Sequence, residues 1–272
     1  MRLFIFILLF QVCLFSASAN GKMTENPAKK VLRIAKKNAV LLDSINQLLV
    51  VFNEIPESNS AVLVAMEKKS KAWRVVSAPI PAGIGRKGFA EPGAKREGDQ
   101  QSPTGFFCLG QLFCYEKDVN TRMPFIQTTA DDKWIDDTNS NDYNRHVRGE
   151  TQAKSYENLK IGSDEYKYCM VIEYNMHPVV KNMGSAIFLH LSEGENPNPS
   201  AGCVVVTQGD MEWLLNWMNP ELKPSILMGN YKVLMSGKGI GVASHASSSI
   251  PGFVWKNEPK KVLYLPALIL NQ

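Results

Sequence analysis

The sequence is short of the features that mark several large protein classes. Its formal net charge is only +4, from 30 lysines and arginines against 26 aspartates and glutamates, and no basic cluster along the chain is dense enough to indicate nucleic-acid binding. No apolar run reaches the roughly 20 residues that a stable membrane span needs, and no internal repeat is present. With 44% hydrophobic and 21% charged residues, the composition is that of an ordinary globular protein.

Cysteine is also scarce, which limits the disulfide and metal chemistry available. Beyond the N-terminal segment the sequence has Cys108, Cys114, Cys169 and Cys203, too few for a dense disulfide framework. A bridge between Cys108 and Cys114 requires a turn at Gly110, because on one straight strand the two residues lie about 20 Å apart. No closely spaced pair of cysteine and histidine indicates a zinc site, and the sequence predicts no cofactor.

A stretch dense in carboxylates and amides begins like a calcium loop and does not continue as one. Counting from Asp137, the sixth position is Asp142 where an EF-hand has glycine. The twelfth position is Arg148 where an EF-hand has glutamate. The EF-hand interpretation therefore fails, and no metal site is predicted.

The first 19 residues have the organisation of a secretory signal peptide. A short charged start precedes an almost wholly apolar run over residues 3–15, and residues 16–19 supply a small-residue cleavage site ending at Ala19. The run is too short for a relaxed membrane span, so a retained anchor is the minor alternative. Cys13 lacks the small residues expected before a lipidated cysteine, which argues against a lipoprotein. We therefore expect an exported protein, periplasmic or associated with the cell wall.

The rest of the chain is predicted to consist mainly of strands. A polar, lysine-rich stretch over residues 20–37 is expected to be mobile, and a helix is predicted from Asp210 to Met218, with Asp210 as its N-cap and Pro220 beyond its end. The predicted division is a leader (20–43), one large domain (44–234) and a C-terminal extension (235–272). Strands are predicted at residues 47–52, 61–66, 72–76, 168–174, 184–191, 204–206, 225–228 and 231–234.

The strongest functional pattern is a histidine and a cysteine at the two ends of one loop. An apolar strand reaches His190, a polar loop follows at residues 192–199, and a turn of small residues then delivers Cys203. A neighbouring imidazole can accept a thiol proton, so the arrangement is typical of a cysteine nucleophile with its base. Gly202 leaves room for a substrate carbonyl and leaves local backbone N–H groups free as oxyanion donors. A buried structural cysteine is the alternative, since cysteine is among the residues most often buried.

This segment resembles the signature of the YkuD-type L,D-transpeptidase catalytic domain, in which a histidine precedes a Ser-x-Gly-Cys turn. A second block, residues 95–107, resembles the family's element Lys…Gly-Asp…Thr/Ser-Pro-x-Gly-x-Phe, and the two blocks occur in the family's order. The resemblance covers roughly residues 44–234. Many members have a second histidine where this chain has Ala201, which leaves His190 as the only histidine of the motif.

The resemblance implies a mainly β fold with short helices, a YkuD-like β-sandwich or barrel-like catalytic domain that acts on peptidoglycan stem peptides. Cys203 would attack the third residue of a tetrapeptide stem and release D-Ala, while the main-chain carbonyl of Leu191 would orient the His190 ring. Transfer of the acyl group to an acceptor amine makes L,D-transpeptidation the predicted function. Hydrolysis by an L,D-carboxypeptidase and a wall-binding module without turnover are the alternatives. The sequence does not indicate an oligomeric state.

Six residues are assigned to substrate binding on weaker grounds. Arg145 is expected to bind a carboxylate of the stem peptide, because a guanidinium suits bidentate recognition; pairing with Asp136 or Asp142 on the surface is the alternative. Arg86, in a glycine-flanked loop, has a similar claim. The resemblance places Trp134, Tyr143 and Asn144 beside the active-site cleft. Ser200 belongs to the catalytic turn. The full set is Arg86, Trp134, Tyr143, Asn144, Arg145 and Ser200.

Overall fold

The computed structural model describes residues 25–240, so the predicted signal peptide and most of the C-terminal extension lie outside the described residues. The strands are β1 (Gln47–Asn53), β2 (Ser60–Lys69), β3 (Ala72–Val75), β4 (Ile80–Gly83), β5 (Gly105–Cys114), β6 (Phe125–Gln127), β7 (Asp132–Ile135), β8 (His146–Arg148), β9 (Tyr156–Asn158), β10 (Tyr168–Ile172), β11 (Phe188–Leu191), β12 (Val204–Val206) and β13 (Ser225–Asn230). The helices are α1 (Pro27–Lys37), α2 (Gln208–Trp217) and α3 (Tyr231–Ser236), with a 3-10 turn at Pro220–Leu222. Within this range, none of the helices combines the length and apolar character needed to cross a lipid bilayer.

Eight of the strands close into a barrel-like ring. Hydrogen bonding runs in the order β1–β13–β5–β10–β11–β12–β4–β2 and returns to β1, because β2 pairs with β4 along one edge and with β1 along the other. In two places in the ring, between β1 and β13 and between β11 and β12, the adjacent strands are parallel. β3 and β6 add to the ring beside β2 and β5. The predicted mainly β, barrel-like fold is confirmed.

One core fills the ring and a second core lies outside β1. Leu49 and Val51 of β1 belong to the interior cluster, while Leu48 and Val50 point to the opposite face and share a cluster with Ile34 of α1. Because both faces of the strand are covered, every residue of β1 is buried, which explains its unbroken apolar run.

Helix α1 replaces the mobile leader that composition alone predicts. Asn26 caps it by accepting a hydrogen bond from the Ala28 N–H (2.9 Å), and Pro27 occupies the first turn, where its missing N–H costs nothing. Val31 and Ile34 lie on its buried face. The high lysine content belongs largely to the other face, so composition averaged over the segment concealed an amphipathic spacing.

Two further predictions at the C-terminal side of the ring are corrected. The predicted strand at residues 231–234 is helix α3, which begins where the Asn230 side chain accepts a hydrogen bond from the Lys232 N–H (3.1 Å). The N-cap of α2 is Thr207 and not Asp210: the Thr207 hydroxyl oxygen accepts from the Asp210 N–H at 3.3 Å. Asp210 lies in the first turn, where its carboxylate accepts from the Thr207 hydroxyl at 2.6 Å.

All four cysteines in the described part of the chain are free. Cys108 and Cys114 lie on the same strand, β5, with the former opposite Ser225 of β13 and the latter opposite Tyr168 of β10. The strand does not turn at Gly110, so the condition for a bridge between these two cysteines is not met.

A small three-stranded sheet, β8–β7–β9, packs beside the ring at β5 and β11. Trp134 of β7 contacts Phe113 and Phe188 edge-to-face, at ring-centroid distances of 6.4 Å and 5.3 Å. At the base of the sheet, the buried Asp132 carboxylate pairs with Arg148 at 2.8 Å and with His146 at 2.7 Å. These contacts hold the stretch that is dense in carboxylates and amides, which includes β7 and β8, next to β11, the strand that carries His190.

Docking of α1 can be tested by truncating its buried face. Ile34→Ala should lower the free energy of unfolding by about 2–5 kcal/mol, because it removes buried volume between α1 and β1. Leu32→Ala, on the same helix but 41% exposed, should change it by less than about 0.5 kcal/mol. Urea denaturation gives both values. Equal, small effects of the two substitutions would mean that α1 does not pack on the ring.

Candidate active site

His190 and Cys203 are brought together by the parallel pairing of β11 and β12. In this register Leu189 lies opposite Val204 and His190 opposite Val205, so Cys203 immediately precedes the paired part of its strand. Only 6% of His190 and 8% of Cys203 is exposed, and both line the same cleft. The two residues that the sequence places at the ends of a loop therefore line one cleft, on adjacent strands of the ring.

The orientation of the His190 ring is set by the main chain. Its Nδ1 lies 3.0 Å from the carbonyl oxygen of Leu191, which is the contact the family resemblance implies. A carbonyl oxygen only accepts, so Nδ1 carries the proton and Nε2 keeps its lone pair. The Tyr166 ring meets the imidazole edge-to-face at a centroid distance of 5.1 Å. Burial lowers the pKa of His190 to about 4, although carbonyl contacts with Leu191 and Glu165 act against it. The imidazole is thus neutral at physiological pH.

The Cys203 thiol is also held by backbone groups. Its Sγ accepts from the Phe188 N–H at 3.3 Å and lies 3.2 Å from the carbonyl oxygen of Ala186, to which the thiol donates. Burial raises the pKa of Cys203 to about 12, and the hydrogen bond from Phe188 and the charge of Lys95 only partly offset it. The thiol and the imidazole that line this cleft are therefore both neutral.

The turn that carries the thiol is held together by two serine hydroxyls. The Ser200 hydroxyl accepts from the Gly202 N–H (3.0 Å) and donates to the Cys203 carbonyl (2.7 Å). The buried Ser102 hydroxyl donates to the Gly202 carbonyl (2.7 Å) and accepts from the Gly85 N–H (2.9 Å). Ser102 comes from the second sequence block, so the two blocks of the resemblance meet in space.

The space around position 202 favours glycine. A Cβ atom there would lie 3.0 Å from Cδ1 of Ile187 and 3.1 Å from the carbonyl oxygen of Gln101, closer than side chains normally pack. The Gly202 N–H, expected to be free as an oxyanion donor, is bonded to Ser200 in this structure. It becomes available to a substrate only when the Ser200 hydroxyl releases it.

The cleft is lined by more carboxylates than cations. Burial, with Asp136 nearby, raises the pKa of Glu157, and burial with Glu193 nearby raises that of Glu165. The buried Lys95 ammonium is paired with Asp99 at 2.6 Å. The charged residues of the lining are Arg86, Lys95, Glu97, Asp136, Glu157, Glu165 and Glu193. Such a lining favours substrates that bring positive charge into the cleft.

Of the six residues assigned to substrate binding, Arg86 and Ser200 line the cleft. Arg145 is exposed and is not part of the lining. Trp134, Tyr143 and Asn144 are buried beneath the cleft and support it from below.

Asn144 has the clearest supporting role. Its side-chain oxygen accepts from Trp134 Nε1 (2.9 Å) and from the Ala186 N–H (3.1 Å). Ala186 adopts a left-handed conformation (φ 52°) that is uncommon for a residue with a side chain, and its carbonyl holds the Cys203 thiol. Asn144 thereby links the three-stranded sheet to Cys203.

Tyr143 anchors the neighbouring part of the wall. Its hydroxyl donates to the Glu97 carboxylate at 2.5 Å, and the Ser185 hydroxyl donates to the same oxygen at 2.7 Å. Sequence reasoning missed the roles of Ser102 and Lys95, although both lie in the second block. It also missed Tyr166, for which no sequence signal existed. Among the described residues, no group of three or more histidine, cysteine or acidic side chains is placed to hold a metal ion.

Comparison with known proteins assigns the chain to a family. The sequence matches the L,D-transpeptidase catalytic domain, YkuD, over residues 52–233. No curated protein matches the chain.

Three solved structures are similar at low identity. The structure of Bdellovibrio bacteriovorus Bd1075 is 14% identical with a TM-score of 0.38, covering 72% of this chain and 55% of that one. An L,D-transpeptidase (residues 123–326) from Xylanimonas cellulosilytica is 12% identical with a TM-score of 0.31, covering 68% of this chain and 61% of that one. The helical cell shape determining protein Pgp2 from Campylobacter jejuni is 12% identical with a TM-score of 0.35, covering 74% and 55%.

The chain thus spans between 55% and 61% of the length of these structures, and the assignment rests on the family match alone. That match includes His190, Cys203 and Ser102. Because it extends over well more than half of the sequence, this protein belongs to the family of the YkuD L,D-transpeptidase catalytic domain.

Proposed function

We propose that this protein is an exported peptidoglycan L,D-transpeptidase in which Cys203 is the nucleophile and His190 the general base. The observation that carries the proposal is the hydrogen bond between Nδ1 of His190 and the Leu191 carbonyl, in the cleft that Cys203 also lines. Because Nδ1 carries the proton of this bond, Nε2 is the ring nitrogen that can accept one. A thiol at the end of the adjacent strand is the proton source, since Cys203 lines the same cleft.

The reaction follows from these roles. The donor is a tetrapeptide stem whose third residue carries the scissile carbonyl. Sγ of Cys203 bonds to that carbon as His190 Nε2 takes the thiol proton, and the amide bond to the terminal D-Ala then breaks. D-Ala leaves as an amine after receiving the proton from the imidazole. The product is an acyl-enzyme thioester together with a neutral imidazole.

Backbone N–H groups of the turn are proposed to bind the oxyanion of the tetrahedral intermediate. The Gly202 N–H must exchange the Ser200 hydroxyl for the substrate oxygen, and a donor of this kind contributes about 3 kcal/mol in other acyl-transfer enzymes. The burial that raises the thiol pKa also raises the value of each hydrogen bond to a developing charge, because the cleft has little water to compete.

The lining of the cleft supports assignments for the rest of the substrate. Arg86 is the guanidinium in the lining and is proposed to bind a stem carboxylate, the role the sequence assigned first to Arg145. Glu193 borders both this cleft and a second cavity lined by Asp164 and Glu195. We assign the second cavity to the acceptor, because its carboxylates attract an amine while it is still a cation. Loss of the amine proton to His190 then allows attack on the thioester.

The function is tested by incubating the protein with purified tetrapeptide muropeptides and measuring product masses. We expect release of D-Ala and formation of cross-linked dimers, with tripeptide as a minor product, because a positioned amine competes effectively with water. Tripeptide without dimer at any acceptor concentration would instead identify an L,D-carboxypeptidase. Absence of any turnover would leave a binding module and contradict the proposal.

The nucleophile is tested with matched cysteine variants. Cys203→Ala should abolish D-Ala release while the urea unfolding curve stays cooperative. Cys108→Ala and Cys114→Ala, both on β5, should keep substantial turnover. Normal activity in Cys203→Ala would exclude the mechanism.

The protonation state of the pair predicts a specific pH dependence. Because burial raises the pKa of Cys203 to about 12, the thiolate fraction in the free enzyme is very small at neutral pH and increases only in alkaline solution. Alkylation of Cys203 by iodoacetamide, followed by peptide mass mapping, should therefore be slow at neutral pH and accelerate continuously above the range of an ordinary thiol. A plateau of rapid alkylation in mildly acidic solution would show a preformed thiolate–imidazolium pair and contradict this description.

A further inference from the structure

A cationic surface lies on the side of the ring opposite the cleft. Helix α1 packs outside β1, and β1 is four strands from β11 in either direction around the eight-stranded ring. Neither α1 nor α3 contains an acidic residue. The exposed positions of α1 follow helical spacing along one face, and they are Lys29, Leu32, Arg33, Lys36 and Lys37.

Helix α3 adds to the same surface. Asn38, at the end of α1, donates from Nδ2 to the carbonyl of Leu234 (3.1 Å), and the Lys37 side chain passes beside Gly237, with its Cε 3.4 Å from the site of a Cβ there. Two exposed lysines of this segment, Lys232 and Lys238, therefore lie next to α1. We call the combined surface the basic face; it consists of Lys29, Arg33, Lys36, Lys37, Lys232 and Lys238.

The charge of the basic face is only slightly compensated by its neighbours. Glu25 pairs with Arg33 at 2.6 Å. Lys30 turns inward instead, with its amino group 2.5 Å from Glu54 and over the Tyr231 ring, so it is not part of the face. Four of its six cations come from α1, and the other two come from a segment almost two hundred residues further along the chain.

Two exposed aliphatic side chains accompany these cations. Leu32 is 41% exposed and lies among the lysines of α1, and Val40, shortly after the helix, is 94% exposed. A soluble polyanion offers cations a partner but offers these side chains none. The interface of a lipid bilayer accommodates both, with apolar groups at the acyl boundary and cations among the headgroups.

We propose that the basic face binds the surface of a bilayer containing anionic phospholipid, as a peripheral contact. The lysines and Arg33 interact with headgroup phosphates, and Leu32 and Val40 reach the boundary of the acyl region. The attraction acts within a Debye length of the surface and weakens as salt is added. Since the cleft is on the far side of the ring, this contact directs Cys203 and His190 away from the bilayer. It does not depend on the reaction proposed above.

Vesicle sedimentation with the purified full-length chain tests the proposal. The probes are phosphatidylcholine vesicles with and without phosphatidylglycerol, at low and high salt. The unaltered chain should bind the anionic vesicles more tightly at low salt. Replacing Lys29, Arg33, Lys36 and Lys37 together by glutamine should weaken this binding at least about tenfold, because each cation near an anionic surface contributes separately. Glutamine retains high helix propensity, so α1 should persist.

The matched control removes the same number of charges elsewhere. Lys117, Lys154, Lys160 and Lys181 are exposed and belong to neither α1 nor α3, and their replacement by glutamine should leave vesicle binding near that of the unaltered chain. All variants carry the same terminal segments, so differences among them report the substituted residues. Equal losses in the two quadruple variants, or no loss in either, would overturn the proposal.

A further pair of substitutions distinguishes a bilayer from a soluble polyanion. Leu32→Ser with Val40→Ser should weaken binding to anionic vesicles while leaving retention on immobilised heparin unchanged. If vesicle binding is weakened by the lysine and arginine substitutions but not by these two changes, the basic face binds a polyanion. That result would overturn the lipid proposal. Urea denaturation of each variant confirms that the fold is intact.

Discussion

The parallel pairing of β11 with β12 is the constraint on which the site depends. It places His190 and Cys203 on neighbouring strands that open on one cleft, and both residues are buried within the closed ring. The turn before β12 is joined to Gly85 by a backbone bridge at Ser200, and the hydroxyls of Ser102 and Ser200 hold the residues that follow. The position of the thiol is therefore set by main-chain groups and by residues such as Ser102 that are distant in sequence.

Burial has opposite effects on the two reacting groups. It lowers the pKa of His190 to about 4 and raises that of Cys203 to about 12, so both groups are uncharged before substrate arrives. In the mechanism we propose, charge develops on the reacting pair only as the thiol proton moves during attack. A neutral thiol is a poor target for oxidants and alkylating agents, since the thiolate is the reactive form. If Cys203 is the nucleophile that we propose, this arrangement limits side reactions before substrate binds.

Sequence reasoning succeeded where a local pattern directly encodes the structure. The strands predicted at β1, β2, β3, β10, β11, β12 and β13 follow from alternation and turns, and the shared cleft of His190 and Cys203 follows from their spacing. The barrel-like class came from the family resemblance. Sequence reasoning failed where tertiary contacts decide. The lysine-rich segment became helix because its few apolar residues face β1, and residues 231–234 became α3 because Asn230 caps a helix after β13. Asn144 was assigned to substrate, yet it supports Ala186 from below, a contact between residues 42 positions apart that no local pattern reveals.

The central claim is that Cys203 forms the covalent intermediate. The most direct measurement is the mass of the protein quenched in acid shortly after mixing with a tetrapeptide muropeptide, followed by peptide mapping. We predict a species heavier by the muropeptide less its D-Ala, with the acyl group on the peptide that contains Cys203, and no such species in Cys203→Ala. An acyl group mapped to another residue, or D-Ala released by Cys203→Ala at the rate of the unaltered protein, would contradict the account.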